Sequence, residues 1–404
     1  MLTGLRVLDL SRESGFLAGK ILADLGADVV KIEPPGGDPE GRRGPYLGEI
    51  ADPERSLLWL ALNTSKRGIT LRLDAPRGRD LYRALSARFD VVLETEAPGA
   101  LDALGIGFET LRADHPELIQ CSLTPFGSTG PYAHFRAHDL VVVAMGGNPM
   151  VTGDADRPPV RCTMPTAYYH AGPEAAFGIL MAVSRRDETG RGQHVDVSMQ
   201  EAQLATLMTG PGQHAQSPLR RLRSGSILGR TREIWQAKDG NITFGLRSGN
   251  ARIPNLIATV AYMAEAGMAP DWLRDYDWAS YNHNTVSDAE IARLQEAFGA
   301  FFATKTRREL FEQALERRIM LAPCNDVREI LEQPQLRFRE LFTIIEYPEF
   351  GARVEHPDFF AKSSAGGIGI RSRAPRIGEH NAEVFAEIGV GASELAELAA
   401  QGVV

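Results

Sequence analysis

The first 35 residues restrict the folds that this chain can adopt. Leu5–Leu10 is a short apolar run, and Asp28–Pro35 is a second run that ends in two prolines. Between them, Phe16, Leu17, Ile21, Leu22 and Leu25 recur at helical spacing before Gly26, which is a typical helix C-cap. A strand, a helix and a second strand in this order form a βαβ unit, whose strands are parallel. The pattern therefore predicts an α/β protein with a parallel sheet.

The same alternation continues for about 200 residues, within the length that one domain can reach. Helical patterns at 79–89 and 108–116 alternate with strand patterns at 90–95 and 118–126, and the strand pattern near 194 continues into a helix. The polar, Pro/Gly-rich segment 210–226 predicts a linker. A strand pattern and three helical patterns (253–266, 288–303 and 307–317) follow it, and they predict a smaller α+β domain over 227–324.

Composition excludes several classes of function. The formal net charge is −8, which argues against general nucleic-acid binding because such binding depends on basic patches. The three cysteines are far apart and form no CxxC motif, which favours a reducing, cytoplasmic location over a disulfide framework or a zinc site. We find no signal-peptide pattern and no apolar run of about 18 residues, so no membrane span is expected.

Short catalytic motifs are absent from the sequence, and only isolated candidates remain. The chain contains no GxGxxG, P-loop, GxSxG or HExxH pattern, and we predict no metal site. Lys66 and Arg67 lie at a turn before a strand, where they either bind phosphate or form a solvated charged turn. His138 and Asp139 open an apolar helix, where they either act as acid and base or place an acid at the helix dipole.

The segment MPTAYYHAGPEAAFGIL, Met164–Leu180, raises a separate question. Tyr168, Tyr169 and His170 lie together where an apolar helix begins, and the segment has no carboxylate before Glu174. These three side chains form either a reactive site or ordinary packing. Aromatic side chains often fill interior space, so we interpret Tyr169 and His170 as packing residues.

Longer motifs resemble the family III CoA-transferases over nearly the whole chain. Two of them are AGKILADLGADVVKIEPPGGDP and LNTSKRGITLRLDAPRGRDL. The full set covers Leu2–Ser11, Ala18–Pro39, Leu62–Leu81, Leu104–Ala133, Gly190–Ala202, Asp326–Phe342 and Ala374–Gly389.

The resemblance implies a fold in which both chain ends build a large Rossmann-like domain. Residues 1–209 would form its first part and residues 325–404 would return to it, with the smaller domain between them. In this family two subunits interlock like links of a chain, so we expect an obligate interlocked dimer.

The resemblance also implies a mechanism. In these transferases an aspartate carboxylate attacks the acyl-CoA thioester and forms covalent anhydride and aspartyl-CoA intermediates. The family segment P-x-A-D-x-x-x-G matches this chain at residues 165–172 and places Tyr168 at the aspartate position. The family's racemases pair that aspartate with a histidine in a G-H-D sequence, which matches Ala137, His138 and Asp139 here.

The residues that the resemblance assigns to CoA binding are partly replaced. An Asn-Phe-Arg stretch of the family corresponds to Thr95, Glu96 and Ala97 here, and Glu96 would repel the phosphates of CoA. Lys66 and Arg67 are retained. We therefore expect CoA or acyl-CoA to be a weakly bound substrate of this chain, and we expect no covalently bound cofactor.

These observations predict a non-catalytic subunit of a heteromeric CoA-transferase. Its partner would be an aspartate-bearing paralogous subunit, in a heterodimer or heterotetramer. The reaction would transfer CoA from an acyl-CoA such as succinyl-CoA to an aromatic or dicarboxylic acid, for which benzylsuccinate is one candidate. Two alternatives stay open: a stand-alone acyl-CoA racemase, isomerase or lyase that uses His138, and a CoA-binding regulatory protein.

Overall fold

The structure, a computed structural model, describes residues 1–216 and 223–404. These residues form two compact units. The larger unit contains 1–148, 161–216 and 334–404, and the smaller contains 149–160 and 223–333. Part of the predicted linker, 217–222, lies outside the described residues. The part before it, expected to be a loop, is helical from Gly210 to Gln216.

A six-stranded parallel sheet forms the centre of the larger unit. Its order is β3-β2-β1-β4-β5-β6, which is the strand order of a Rossmann fold. The predicted parallel α/β class is therefore confirmed. The strands are β1 Arg6–Asp9, β2 Asp28–Glu33, β3 Arg67–Thr70, β4 Val91–Glu94, β5 Ile119–Thr124 and β6 His194–Ser198.

Helices cover both faces of this sheet. The first nine are α1 Glu13–Asp24, α2 Leu57–Leu62, α3 Pro76–Ser86, α4 Ala100–Ala103, α5 Phe108–Asp114, α6 Asp139–Met145, α7 Thr166–Thr189, α8 Met199–Gln203 and α9 Gly210–Gln216. Helices α1 and α7 pack on one face, and most of the apolar residues they bury are alanine. On the other face, α3 contributes Leu81, Tyr82 and Leu85 to a second core.

The smaller unit has the predicted α+β composition. Its strands are β7 Ile227–Leu228, β8 Thr231–Arg232, β9 Ile234–Ala237, β10 Gly240–Phe244 and β11 Leu321–Pro323, and its helices are α10 Ile253–Glu265, α11 Asp271–Arg274, α12 Asp288–Phe302, α13 Arg307–Arg317 and α14 Val327–Glu332. The three helices expected from the sequence are α10, α12 and α13. A capping box between Thr306 and Glu309 begins α13, and an aromatic core around Trp235 and Phe302 holds the unit together.

The C-terminal segment returns to the larger unit, as the resemblance implies. It contains α15 Pro334–Phe338, β12 Phe342–Tyr347, β13 Ala352–Pro357, α16 Asn381–Ala386 and α17 Ala392–Ala400. The backbone N–H of Thr70 donates to Asn381 Oδ1 at 2.9 Å, and that of Gly68 donates to His380 Nδ1 at 3.0 Å. Both chain ends therefore build the Rossmann-like unit. None of the helices described in the two ranges is long and apolar enough to cross a membrane.

A buried ion pair between Asp9 and Lys66 joins several elements of the larger unit. The Lys66 ammonium donates to Asp9 Oδ2 at 2.8 Å, to Asn63 Oδ1 at 2.9 Å and to the carbonyl oxygen of Phe16 at 3.1 Å. All three of its protons therefore have acceptors. Burial opposes ionisation of Asp9, yet the charges of Lys66 and Lys31 lower the pKa of its carboxyl below the usual value.

Gly19 of α1 leaves the space that this ion pair occupies. A Cβ at this position would lie 2.2 Å from Asp9 Oδ2 and 2.7 Å from Lys66 Nζ. Helix α1 can therefore pack against the ion pair only because residue 19 has no side chain. Alanine is normally the better helix former by about 1 kcal/mol, so the choice of glycine here reflects a steric limit.

We predict that Gly19→Ala lowers the free energy of unfolding by about 3 kcal/mol, because the added methyl group displaces a buried ion pair. The change is measured by urea denaturation. Gly212→Ala in α9 is the matched control, since a Cβ there would meet nothing within 4 Å, and it should not lower the free energy of unfolding. A Gly19→Ala protein as stable as the original chain would contradict this account of the ion pair.

Candidate active site

The start of α7 is fixed by the side chain of Asp139. Asp139 is the first residue of α6, and its Oδ1 accepts a hydrogen bond from the backbone N–H of Ala167 at 2.9 Å. The first turn of a helix has N–H groups without intrahelical acceptors, and a carboxylate is a favourable partner for them. Asp139 therefore caps α7, a role that differs from the two the sequence suggested, acid–base chemistry and an acid at the start of its own helix.

A second hydrogen bond joins Tyr168 of α7 to Asp139. Its hydroxyl oxygen accepts a hydrogen bond from the backbone N–H of Asp139 at 3.0 Å. Burial raises the pKa of the Tyr168 phenol, and the carboxylates of Glu13 and Asp139 raise it further, against the opposing effect of that N–H. The phenol is therefore neutral near pH 7. A neutral phenol is a poor nucleophile, and here its oxygen is also engaged by the backbone.

Tyr169 and His170 have the surroundings of packing residues. Both are half-buried. Burial and the nearby carboxylates raise the pKa of Tyr169, and His170 Nδ1 lies 3.1 Å from Nε2 of Gln203 in α8. These contacts join α7 to its neighbours.

The structure brings Asp139 into this site, whereas acid–base chemistry by the preceding residue, His138, stays a prediction. His138 is the N-cap residue of α6, and its side chain is exposed. Glu13, the first residue of α1, also faces the site and is paired with Arg43. The surroundings of Tyr168 are therefore rich in carboxylates.

Lys66 and Arg67 are both engaged in ion pairs. Lys66 is the buried partner of Asp9, and Arg67 pairs with Asp28 at 2.7 Å and with Glu383 at 2.7 Å. Arg67 also begins β3, so it lies at the amino edge of the sheet, opposite the edge where Rossmann folds bind ligands. Both residues therefore lie where the sequence predicts them, at the turn before a strand. Phosphate binding by either cation stays a prediction, and it would require these ion pairs to open.

A cavity of about 210 Å³ lies instead at the carboxyl edge, beyond β1, β2, β3 and β4. Strand order reverses between β1 and β4, which is where such folds place their ligands. Its charged lining residues are three cations and four acids: Arg12, Lys31, Arg72, Glu33, Asp38, Asp74 and Glu96. We call it the edge cavity.

Two predicted CoA-binding residues have different positions relative to this cavity. Glu96 lines it. The hydroxyl of Thr95 instead accepts the backbone N–H of Arg12 at 2.8 Å and so supports the adjacent loop. Sequence reasoning missed Glu33, whose pKa burial raises to about 7. The motif KIEPPGGDP contains Glu33 together with Asp38, and it was the only sequence feature that could have identified Glu33.

Comparison with known proteins now assigns the chain to a family. The model of CoA-transferase family III matches residues 2–381. The chain belongs to CoA-transferase family III. Members of this family use acyl-CoA as substrate.

Individual relatives cover nearly the full length. The chain is 32% identical to subunit BbsE of succinyl-CoA:(R)-benzylsuccinate CoA-transferase from Thauera aromatica, over 99% of this chain and 97% of that one. It is 33% identical to formyl-CoA:oxalate CoA-transferase from Streptomyces avermitilis, over 100% and 99%. A CAIB/BAIF family protein from Brucella suis has a similar structure, with a TM-score of 0.83, 28% identity and 96% and 99% coverage.

We predict that Lys66→Met lowers the free energy of unfolding by about 3 kcal/mol or more, because the buried Asp9 carboxylate loses its main partner. Urea denaturation measures this. Lys238→Met removes an exposed lysine and should change stability by less than about 0.5 kcal/mol. If Lys66→Met instead unfolds like the original chain but loses CoA binding, Lys66 is a ligand residue.

Proposed function

We propose that this chain is the non-catalytic subunit of a heteromeric family III CoA-transferase, with the nucleophilic aspartate on its partner. The observation that carries the proposal is Tyr168 at the start of α7, the position that corresponds to the family's aspartate. Its hydroxyl is bonded to the backbone of Asp139 and its pKa is raised.

The chemistry of CoA transfer explains why this residue matters. An ionised carboxylate must attack the thioester carbonyl carbon, form the anhydride bond and release the CoA thiolate. A phenol that keeps its proton at pH 7 does not perform this attack. The first carboxylate of α7 after Tyr168 is Glu174, whose side chain is exposed.

The edge cavity is the proposed site for the nucleotide end of CoA. Its apolar side chains, which include Leu71, Leu101 and Leu104, suit an adenine ring. Four carboxylates against three cations oppose the binding of phosphates. This charge distribution supports weak CoA binding by the subunit.

An exposed apolar surface on α7 and on the segment after α8 supports the proposal that a partner subunit binds this chain. Phe177 and Met181 lie one turn apart on α7 and are 60% and 57% exposed. Leu204 and Met208 after α8 are also exposed, at 44% and 73%. Exposed apolar surfaces of this kind mark protein interfaces. We propose that the aspartate-bearing paralogue covers them in an interlocked dimer.

The proposed reaction transfers CoA from succinyl-CoA to an aromatic or dicarboxylic acid, with benzylsuccinate as one candidate. The relative from Thauera aromatica supports this choice, because it is a subunit of an enzyme named for those two substrates.

The test is co-expression with an aspartate-bearing paralogue. We expect a heteromer by native mass spectrometry, because the exposed surface of α7 requires cover. After incubation with succinyl-CoA, hydroxylamine-sensitive CoA should be attached only to the partner. A homodimer that ignores the paralogue and turns over acyl-CoA alone would contradict the proposal. If His138→Ala then abolished that turnover, His138 would be the catalytic residue of a stand-alone enzyme.

We also predict that Tyr168→Asp restores little chemistry, with a CoA adduct on this chain below about one tenth of the partner's. The new carboxylate would lie near Glu13, Asp139 and Glu40, whose charges already raise the pKa at this position, and like charges disfavour ionisation. Mass spectrometry of the trapped adduct measures this.

Tyr168→Phe is the control for this experiment, because it keeps the ring and removes only the hydroxyl. Its heteromer should assemble and show no adduct on this chain. An adduct on Tyr168→Asp equal to that on the partner would show that the surrounding site still binds CoA and supports catalysis.

A further inference from the structure

A serine and a histidine lie in contact in the smaller unit, and the proposed function uses neither of them. Ser248 lies between β10 and α10, and His283 lies between α11 and α12. The hydroxyl oxygen of Ser248 is 2.8 Å from Nδ1 of His283, and the two residues are 35 positions apart in the sequence. Both residues are half-buried. We call them the Ser–His pair.

The backbone of Ser248 fixes the direction of this hydrogen bond. Its N–H also donates to Nδ1 of His283, at 3.1 Å. An N–H group can only donate, so Nδ1 is the acceptor and the proton of the neutral imidazole is on Nε2. The hydroxyl of Ser248 is then the donor in the shorter contact. Ser248 therefore directs its proton at a base, as the nucleophile of a serine hydrolase does.

Nearby charges keep the imidazole of the Ser–His pair neutral. Burial lowers the pKa of His283, and the carboxylate of Glu233 opposes this shift. Three guanidinium groups lower the pKa further, those of Arg247, Arg230 and Arg252. A histidine whose pKa is below its usual range is unprotonated at pH 7 and can accept a proton. The resting form of the pair is therefore the form that can activate a nucleophile.

The segment after Ser248 supplies hydrogen-bond donors for an oxyanion. The backbone N–H groups of Gly249 and Asn250 have no acceptor within the described residues. They precede α10, and the N-terminus of a helix favours negative charge. Gly249 has a φ of +110°, and a Cβ there would meet nothing within 4 Å. The space beside Ser248 is therefore open to a small molecule.

We propose that the Ser–His pair is a second nucleophilic site of this chain, which hydrolyses small esters. The oxygen of Ser248 attacks the ester carbonyl carbon, and its proton passes to Nδ1 of His283. The bond from that carbon to the alcohol oxygen then breaks, and the leaving oxygen takes the proton from Nδ1. Water next attacks the acyl carbon, gives a proton to Nδ1 and releases the acid, and the oxygen of Ser248 recovers the proton. Water is the only co-reactant.

Arg252 indicates which esters fit this site. It is the N-cap residue of α10, its side chain is exposed, and it has no ion-pair partner within the described residues. Its charge reaches the Ser–His pair, because it contributes to the low pKa of His283. Arg230 and Arg247 already have acidic partners. An unpaired guanidinium beside the pair favours an ester that carries a carboxylate.

The test is reaction of the full-length protein, in its native complex, with a fluorophosphonate ester. An activated serine displaces fluoride from this probe and keeps a stable phosphonyl group on its oxygen. We expect peptide mass mapping to find this group on Ser248. Its absence from Ser248, under conditions that label chymotrypsin fully, would overturn the proposal. This measurement uses the original chain, so it does not depend on the folding of a variant.

Variants assign the two roles. Ser248→Ala should abolish labelling. His283→Asn keeps an acceptor for the N–H of Ser248 but removes the base, so labelling should slow by about a hundredfold or more. Ser280→Ala is the control: it removes an exposed serine of the same unit, whose hydroxyl donates to the carbonyl oxygen of Asp277, and should leave the rate unchanged. Labelling of His283→Asn at the original rate would contradict the role of the base.

Two esters of equal size test the substrate class. We expect 4-acetoxybenzoate to be hydrolysed with a kcat/KM about tenfold above that of the neutral 4-acetoxybenzamide, because only the first carries a carboxylate for Arg252. Arg252→Gln should remove this difference. Hydrolysis of neither ester would overturn the proposed activity, and equal rates on the original chain would overturn the preference for a carboxylate.

Discussion

The buried ion pair of Asp9 and Lys66 is the contact on which the larger unit depends. It joins the end of β1, the middle of α1, the residue after α2 and the residue before β3. Two charges in a dry interior are tolerated only when each is paired and hydrogen-bonded, so these four elements have little freedom to shift. The start of α1, with Glu13 beside Tyr168, is held in place by the same contact.

Local patterns in the sequence predict most of the fold. Alternating strand and helix periods identify the parallel sheet. Helix α13 was predicted at its observed bounds, Arg307–Arg317, because the residues that begin and end it lie close to it in the sequence. Lys66 is different. Nothing near it in the sequence shows that Asp9, 57 residues earlier, neutralises its charge, so the buried ion pair could not be predicted from the sequence.

The candidate site was predictable only in part, for the same physical reason. The position of Tyr168 followed from the family resemblance, but its bond to Asp139 joins residues 29 positions apart.

The reciprocal bonds between Asp139 and the start of α7 also bear on how such a chain can evolve. The phenol of Tyr168 satisfies a backbone group that a shorter carboxylate would leave open, while Asp139 is committed to Ala167. Under the proposed function, the single reversion Tyr168→Asp would therefore lose this hydrogen bond and place a carboxylate beside other carboxylates. If the proposed role is correct, the backbone contacts of this chain oppose a return to catalysis through a single substitution at position 168.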